Sequence, residues 1–326
     1  MTDSSEKPLI TFALLAYNQE RYIREAVEGA LSQTYSPLEI ILSDDCSSDA
    51  TFKIMQQMAE DYSGPHKIIL NQNHSNIGLA GHINNILDLS NGEFFVVAAG
   101  DDVSFPNRTA ALVSAWIESG KRKTCVYSDM NIIDNDGNIV KKAPCHKDFS
   151  HVNLTDFLNR PRPLACTYGF SIEMNSRYGK LNESLINEDY IFAARALALN
   201  ERLIYVSKPL VDYRRSCSGH LSKLKGMNLR SALLISLDWE LKMLDQINLD
   251  LQIVNPNWLN WKDIFNSLYA FTNYKINMLN SNLIQSILLT YYYYLKYNPP
   301  LKKLIKSFLV CRYPNLLKLE KLLPHR

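Results

Sequence analysis

The sequence predicts an α/β fold, a sheet with helices packed on its faces, followed by a mostly helical C-terminal region. Three observations carry this prediction. Apolar runs of buried-strand type alternate with segments of helical periodicity through the first hundred residues. After about residue 120 the pattern changes to longer extended segments and a hairpin-turn signal. From 225 to 326 the chain reads as mostly helical, with a break at Pro299-Pro300.

Leu9 to Ala16 is an apolar run of strand type, and Tyr22, Ile23, Ala26, Val27, Ala30 and Leu31 mark one face of a helix between Glu20 and Gln33. Leu38 to Leu42 is a second strand that ends in Ser43-Asp44-Asp45, with Asp49 as N-cap of the next helix. Lys67 to Leu70 is a third strand, and a polar loop, Asn71 to Gly78, leads to a helix near Gly81–Leu89. Glu93 to Ala99 runs straight into Gly100-Asp101-Asp102. This alternation predicts parallel pairing, and ligands of such sheets bind beyond the carboxyl ends of the strands. Tyr17-Asn18, Asp44-Asp45 and Asp101-Asp102 are therefore expected along one edge. Further on, Thr124 to Ile133, Leu164 to Ile172 and Leu203 to Tyr213 read as extended, and Glu188 to Leu199 as helical. Asn135-Asp136-Gly137-Asn138 is a hairpin turn into Ile139-Val140.

At 326 residues, 46% hydrophobic and 21% charged, the composition is that of a globular protein with a sizeable core. The net charge of +2 hides an asymmetry: residues 251–326 carry ten Lys and Arg against two Asp and Glu, and the rest carries 25 against 31. The six cysteines (Cys46, Cys125, Cys145, Cys166, Cys217, Cys311) are scattered without a CxxC, which points to a reducing compartment. The N-terminus MTDSSEKP has no apolar signal core, and no stretch reaches the ~20 apolar residues of a membrane span. A cytoplasmic location is expected, or a peripheral one on the cytosolic face of a membrane.

Carboxylates at successive strand ends are the chemical signal. They accept hydrogen bonds from a base or from ribose hydroxyls, and they bind hard cations such as Mg²⁺ or Mn²⁺. Either pair alone would be read as helix-cap and turn residues. Two pairs closing apolar strands of one sheet favour a binding function. No GxGxxG follows the first strand, which argues against a dehydrogenase.

Leu14-Leu15-Ala16-Tyr17-Asn18, Leu31-Ser32-Gln33-Thr34-Tyr35 and Ser43-Asp44-Asp45-Cys46-Ser47-Ser48-Asp49 resemble the opening of glycosyltransferase family 2. Asn76-Ile77-Gly78 with Asn84, Ala99-Gly100-Asp101-Asp102 with Pro106, and Glu188-Asp189 continue the family's order. The resemblance implies a GT-A fold, with a Rossmann-like mixed sheet flanked by helices. It also implies a catalytic domain over 1–222, with nucleotide-sugar binding in about 7–120 and the acceptor and catalytic half in about 121–222. Residues 223–326 form the basic helical appendage. The implied reaction is inverting transfer of a sugar from a nucleotide-diphosphate donor, a UDP-sugar, to a glycan or lipid-linked acceptor, as in surface polysaccharide synthesis.

The resemblance also implies roles. Asp189 is the general base, with Glu188 as its runner-up. Tyr17, Asn18, Asp44, Asp45, Gly78 and Asp101 bind the nucleotide, with Asp45 on the base edge and Asp101 on the ribose. Asp102 and His220 bind the metal, Mn²⁺ or Mg²⁺. Two departures stand out. Ile83 occupies a position where the family often has Arg, and His220 falls later after Tyr213-Arg214 than usual. The alternative to an enzyme is a non-catalytic nucleotide-sugar-binding or scaffold protein of the same fold. A nucleotidyltransferase fits the motif order poorly.

The C-terminal region combines Trp258, Trp261, Phe265, Tyr269, Tyr274 and the run Tyr291 to Tyr294 with Lys302, Lys303 and Lys306. This composition suits peripheral contact of 251–326 with anionic lipid. It equally suits a helical bundle with a solvated lysine face. No nucleic-acid recognition motif accompanies the charge.

Overall fold

The computed structural model describes residues 7–144, 147–158, 165–186, 188–215, 227–254, 261–297 and 299–312. The chain divides into two compact units, Met1–Ser216 and Cys217–Arg326. The strands of the first unit are β1 (Ile10–Ala16), β2 (Leu38–Asp44), β3 (Lys67–Gln72), β4 (Phe94–Ala99), β5 (Val103–Ser104), β6 (Cys125–Ile133), β7 (Ile139–Lys141), β8 (Tyr168–Ser171) and β9 (Ile204–Arg214). Its helices are α1 (Ile23–Leu31), α2 (Thr51–Glu60), α3 (Gly78–Leu89), α4 (Arg108–Glu118), α5 (Leu154–Leu158), α6 (Ile172–Asn175) and α7 (Glu188–Ala198). The described strands make one sheet in the order β3-β2-β1-β4-β8-β6-β9-β5, with β7 paired to β6.

β1 and β2 are buried along their whole length. A strand covered on both faces needs no polar alternation, so these strands are mostly apolar, and the buried Thr11 and Glu39 pair with each other at 2.7 Å. Ile23, Ala26, Val27 and Ala30 form the buried stripe of α1. They join Phe12, Leu14, Ile40, Leu42, Phe94 and Trp116 in one core cluster, with the Phe94 and Trp116 rings 5.0 Å apart. Full burial of each large apolar side chain contributes roughly 1.5–3 kcal/mol.

β3, β2, β1 and β4 pair in parallel, as the alternation predicts. The sheet as a whole is mixed, because β8 runs antiparallel to both β4 and β6 while β6 and β9 are parallel. The strand expected from Leu164 to Ile172 is shorter, Tyr168–Ser171. Ala165–Thr167 forms a 3₁₀ turn, and Ser171 caps α6 with its Oγ accepting the Met174 N–H at 3.4 Å. Asp49 is not the N-cap of α2, since Ala50 holds that position. Asp49 stands one residue earlier and accepts the Thr51 N–H at 2.9 Å and the Glu20 N–H at 3.1 Å, joining the entries of α1 and α2.

The second unit comprises α8 (Leu229–Val254), α9 (Lys262–Asn280), α10 (Leu283–Tyr297) and α11 (Leu301–Arg312), and Pro299-Pro300 separates the last two. It has its own core, built on Leu233, Leu237, Tyr274, Met278, Tyr293 and Leu304. Among the described residues, no helix is long and apolar enough to cross a membrane. Trp258 lies outside the described residues.

Candidate active site

The register of the sheet assembles the site. Ala16 pairs with Asp44, and Leu15 with Ala99. The loops after β1, β2 and β4 therefore leave the sheet at one edge. Backbone bonds extend the ladder past the strand ends: Asp45 N–H to Ala16 O at 2.9 Å, Asn73 N–H to Asp44 O at 2.9 Å and Gly100 N–H to Leu15 O at 2.8 Å.

The first acidic pair is fully buried but differently engaged. Asp44 accepts from the Ser47 N–H at 2.8 Å, the Ser47 hydroxyl and the Gln72 amide at 3.1 Å, which shapes its own turn. Asp45 reaches across to the next loop. It accepts from the Asn73 amide at 2.8 Å, the Ile77 N–H at 3.1 Å and the Gly78 N–H at 3.0 Å. Three donors leave room on a carboxylate with about four acceptor sites. Gly78 opens α3 at φ +77°, a left-handed geometry that suits glycine. Asn18, at φ +51°, donates its N–H to Ser47 Oγ at 2.8 Å and accepts the Ser48 N–H at 2.9 Å. Tyr17 stands beside it, 45% exposed.

Beneath these loops, His82 is buried with Nε2 2.6 Å from Ser43 Oγ. Burial lowers its pKa to about 4 against the opposing pull of Asp45 and Asp44. The ring is held neutral in the folded state and charges in the unfolded chain near pH 6.5. Below that pH the unfolded state binds the extra proton, so stability falls as pH drops from about 6.5 towards 4. The His82 contribution to this loss is expected to reach about 3 kcal/mol. The measurement is melting temperature against pH for the wild type and His82→Gln. Parallel curves across that window would remove His82 from the account.

The second pair divides by burial. Asp102 is 4% exposed, and its Oδ1 accepts the Arg214 N–H at 2.7 Å. Burial first, and the charge of Asp101 second, push its carboxyl well above the usual carboxylate range. The Arg214 N–H, the Cys166 thiol and Arg108 pull the other way. Asp101 is half-buried. Its carbonyl accepts from Arg214 Nε at 2.9 Å.

Arg214, at the end of β9, organises this corner. Its guanidinium donates to the Asp134 carbonyl at 3.0 Å, the Asn135 carbonyl at 3.2 Å and Glu25 Oε2 at 2.6 Å, and it lies 4.6 Å from the Tyr22 ring centroid. The Tyr213-Arg214 strand end is visible in the sequence, but no local signal reveals that Arg214 binds segments 79 to 189 positions away. Arg108 is a second such case. It is fully buried under β4, donating to Ser104 Oγ at 2.8 Å and Val97 O at 2.5 Å, and burial lowers its pKa to about 10.

Glu188 and Asp189 occupy the first turn of α7, 3% and 8% exposed. Asp189 Oδ1 accepts the Tyr190 N–H at 2.9 Å. Both carboxylates act on Tyr168, whose buried hydroxyl has no hydrogen-bond partner among the described residues and whose pKa is raised by burial first and then by Glu188 and Asp189. Gly169 pairs with Val96, so Tyr168 lies towards the carboxyl end of β4. A cavity of about 10 Å³, near the lower limit for one water, is lined by Cys125, Tyr127, Tyr168, Asp189, Ala193 and Leu203. His220 lies outside the described residues.

Among the described residues, no three His, Cys, Asp or Glu side chains gather into a metal-ligating group.

Residues 11–175 match the family model for glycosyl transferase family 2, and the chain belongs to that family. The chain is 37% identical over 130 residues to the putative glycosyltransferase EpsE of Bacillus subtilis, covering 40% of this chain and 46% of EpsE. The match thus spans less than half of that relative. Among solved structures, Staphylococcus aureus TarS 1–349 in complex with UDP aligns with a TM-score of 0.55 at 16% identity, covering 94% of this chain and 82% of TarS. The mannosyltransferase PcManGT of Pyrobaculum calidifontis, in complex with GDP-Man and Mn²⁺, aligns with a TM-score of 0.54 at 17% identity, covering 97% and 89%. At such identities the likeness is one of fold: the mixed sheet is of the GT-A type.

Proposed function

We propose that the chain is an inverting glycosyltransferase that moves a sugar from a nucleotide-diphosphate donor, a UDP-sugar, to a hydroxyl of a glycan or lipid-linked acceptor. The observation that carries this reading is the convergence of the β1, β2 and β4 loops, with their acidic pairs, at one sheet edge in a family 2 chain. Residues 1–222 are assigned to catalysis, and 223–326 to a basic appendage in peripheral contact with membrane.

Asp45 retains acceptor capacity for the base edge, beside exposed Tyr17 and Asn18. The sequence alone suggested Asp102 for the cation and Asp101 for the ribose. The buried, hydrogen-bonded state of Asp102 supports the reverse emphasis: Asp102 anchors the turn to Arg214, and the cation is assigned to Asp101. When bound, the cation offsets the negative charge of the leaving diphosphate. Asp189 takes the proton from the acceptor hydroxyl as that oxygen bonds to the anomeric carbon. The bond from that carbon to the diphosphate oxygen breaks on the opposite face, so the configuration inverts.

The test is a thermal-shift panel of sugar nucleotides with and without Mn²⁺, followed by transfer assays. One donor is expected to raise the melting temperature by about 5 °C at saturation, in the presence of Mn²⁺. Asp101→Asn should abolish the Mn²⁺-dependent part of the shift. A panel without any shift or transfer would favour the non-catalytic reading, and a full shift in Asp101→Asn would return the cation to Asp102.

A further inference from the structure

Helix α10 carries an apolar stripe that the bundle core does not use. Ile284, Ile287, Leu288, Tyr291 and Tyr292 fall at helical spacing on one face, and they are 72%, 53%, 62%, 63% and 59% exposed. On the same helix Tyr293 is 5% exposed and packs against Tyr274, with ring centroids 4.8 Å apart. The helix is thus anchored by one face and presents the other outward. A contiguous exposed patch of this kind marks an interaction surface in a well-packed protein.

Charge identifies the occupant. Residues 264–319 contain seven Lys and Arg and no Asp or Glu, and of these Lys275 is already paired with Glu240 at 3.0 Å. On α10 itself the charged residue is Lys296, one turn beyond Tyr292, with Nζ 3.4 Å from the Tyr292 hydroxyl. Ile305 and Lys306 on α11 are exposed as well. A groove beside the stripe, bordered by Leu288 and Tyr292, is lined by the neutral polar residues Asn277, Asn280, Ser281 and Gln285. Aliphatic side chains beside tyrosines and a lysine, next to neutral hydrogen-bonding groups, match the gradient from acyl chain to headgroup at a bilayer surface. A protein partner buried on this stripe would have to supply acidic groups opposite these lysines, whereas anionic lipid supplies that charge across its whole surface.

We propose that the Ile284–Tyr292 face of α10 is an interfacial membrane-docking surface that lies in the headgroup region of an anionic bilayer, with Lys296 at the phosphate level. This deepens the peripheral contact assigned above to the C-terminal appendage and rests on that assignment.

The test is co-sedimentation of the full chain with vesicles of phosphatidylcholine alone and of phosphatidylcholine mixed with phosphatidylglycerol, at low and high salt. The wild type is expected to bind the anionic vesicles, to bind the neutral ones weakly, and to be released by salt. Ile284→Asp with Leu288→Asp should lower partitioning onto anionic vesicles by more than about tenfold. These residues are outside the candidate active site, so melting temperature and turnover with a soluble acceptor should be unchanged. Undiminished binding by the double variant would overturn the α10 face while leaving a lysine-mediated membrane contact standing. Failure of the wild type to bind either vesicle would overturn both. A wild-type dimer in light scattering that the double variant breaks would overturn the lipid assignment in favour of a second copy of the chain.

Discussion

Asp189→Asn is expected to lower sugar transfer by about two to four orders of magnitude while leaving donor binding nearly unchanged. Asparagine keeps the size of the side chain and an oxygen able to accept the Tyr190 N–H, which the carboxylate now does at 2.9 Å. It cannot take a proton at neutral pH. The first turn of α7 is therefore expected to survive, while the acceptor hydroxyl loses the base proposed for it. In the proposed reaction donor binding falls to the loops after β1, β2 and β4, which this substitution leaves alone. The measurement is single-turnover transfer with a verified acceptor, alongside donor titration by thermal shift. Wild-type turnover in Asp189→Asn would remove the residue from the reaction. If Glu188→Gln showed the loss instead, the base would be its neighbour.

The second large effect is structural. Arg214→Ala is expected to cost roughly 3–5 kcal/mol of unfolding free energy. The ion pair with Glu25 accounts for little of this, because the Glu25 side chain is 55% exposed and water screens it. The larger share comes from the carbonyls of Asp101 and Asn135, which lose the Arg214 donor in a place where Arg214 itself is 2% exposed; the Asp134 carbonyl keeps the Gly137 N–H at 3.2 Å. Arg214→Lys keeps the charge but not the planar fork, so it should recover less than half of the loss. Urea denaturation of the three proteins checks this. A cost below about 1 kcal/mol in Arg214→Ala would mean that water satisfies the carbonyls that Arg214 leaves.

Much of the fold was legible in the sequence because its central strands are buried on both faces. β1, β2 and β4 are predominantly apolar, and acidic residues close β2 and follow β4. The direction of β8 was not legible, since apolar pattern carries no sense of strand polarity. β5 has two residues, fewer than any periodicity can register. In the candidate site, spacing along the chain singled out the acidic pairs but not their orientation. That Asp45 turns towards Ile77 and Gly78, and Asp102 towards Arg214, follows from contacts 32 and 112 positions apart. Local pattern has no access to such contacts.

The hold of Asp45 on Ile77 and Gly78 has an electrostatic consequence. The amino end of a helix, with its unpaired N–H groups and positive dipole, is a natural seat for a phosphate. In this chain the entry to α3 already holds an anion of the protein's own, the Asp45 carboxylate. His82, on the same helix, is kept neutral by burial, and Ile83 adds no charge. A diphosphate approaching this corner meets a negative field that the helix no longer counters. The donor is therefore expected to enter as its cation complex, with the divalent ion acting as the entry ticket for the nucleotide as well as the counter-charge for its departure.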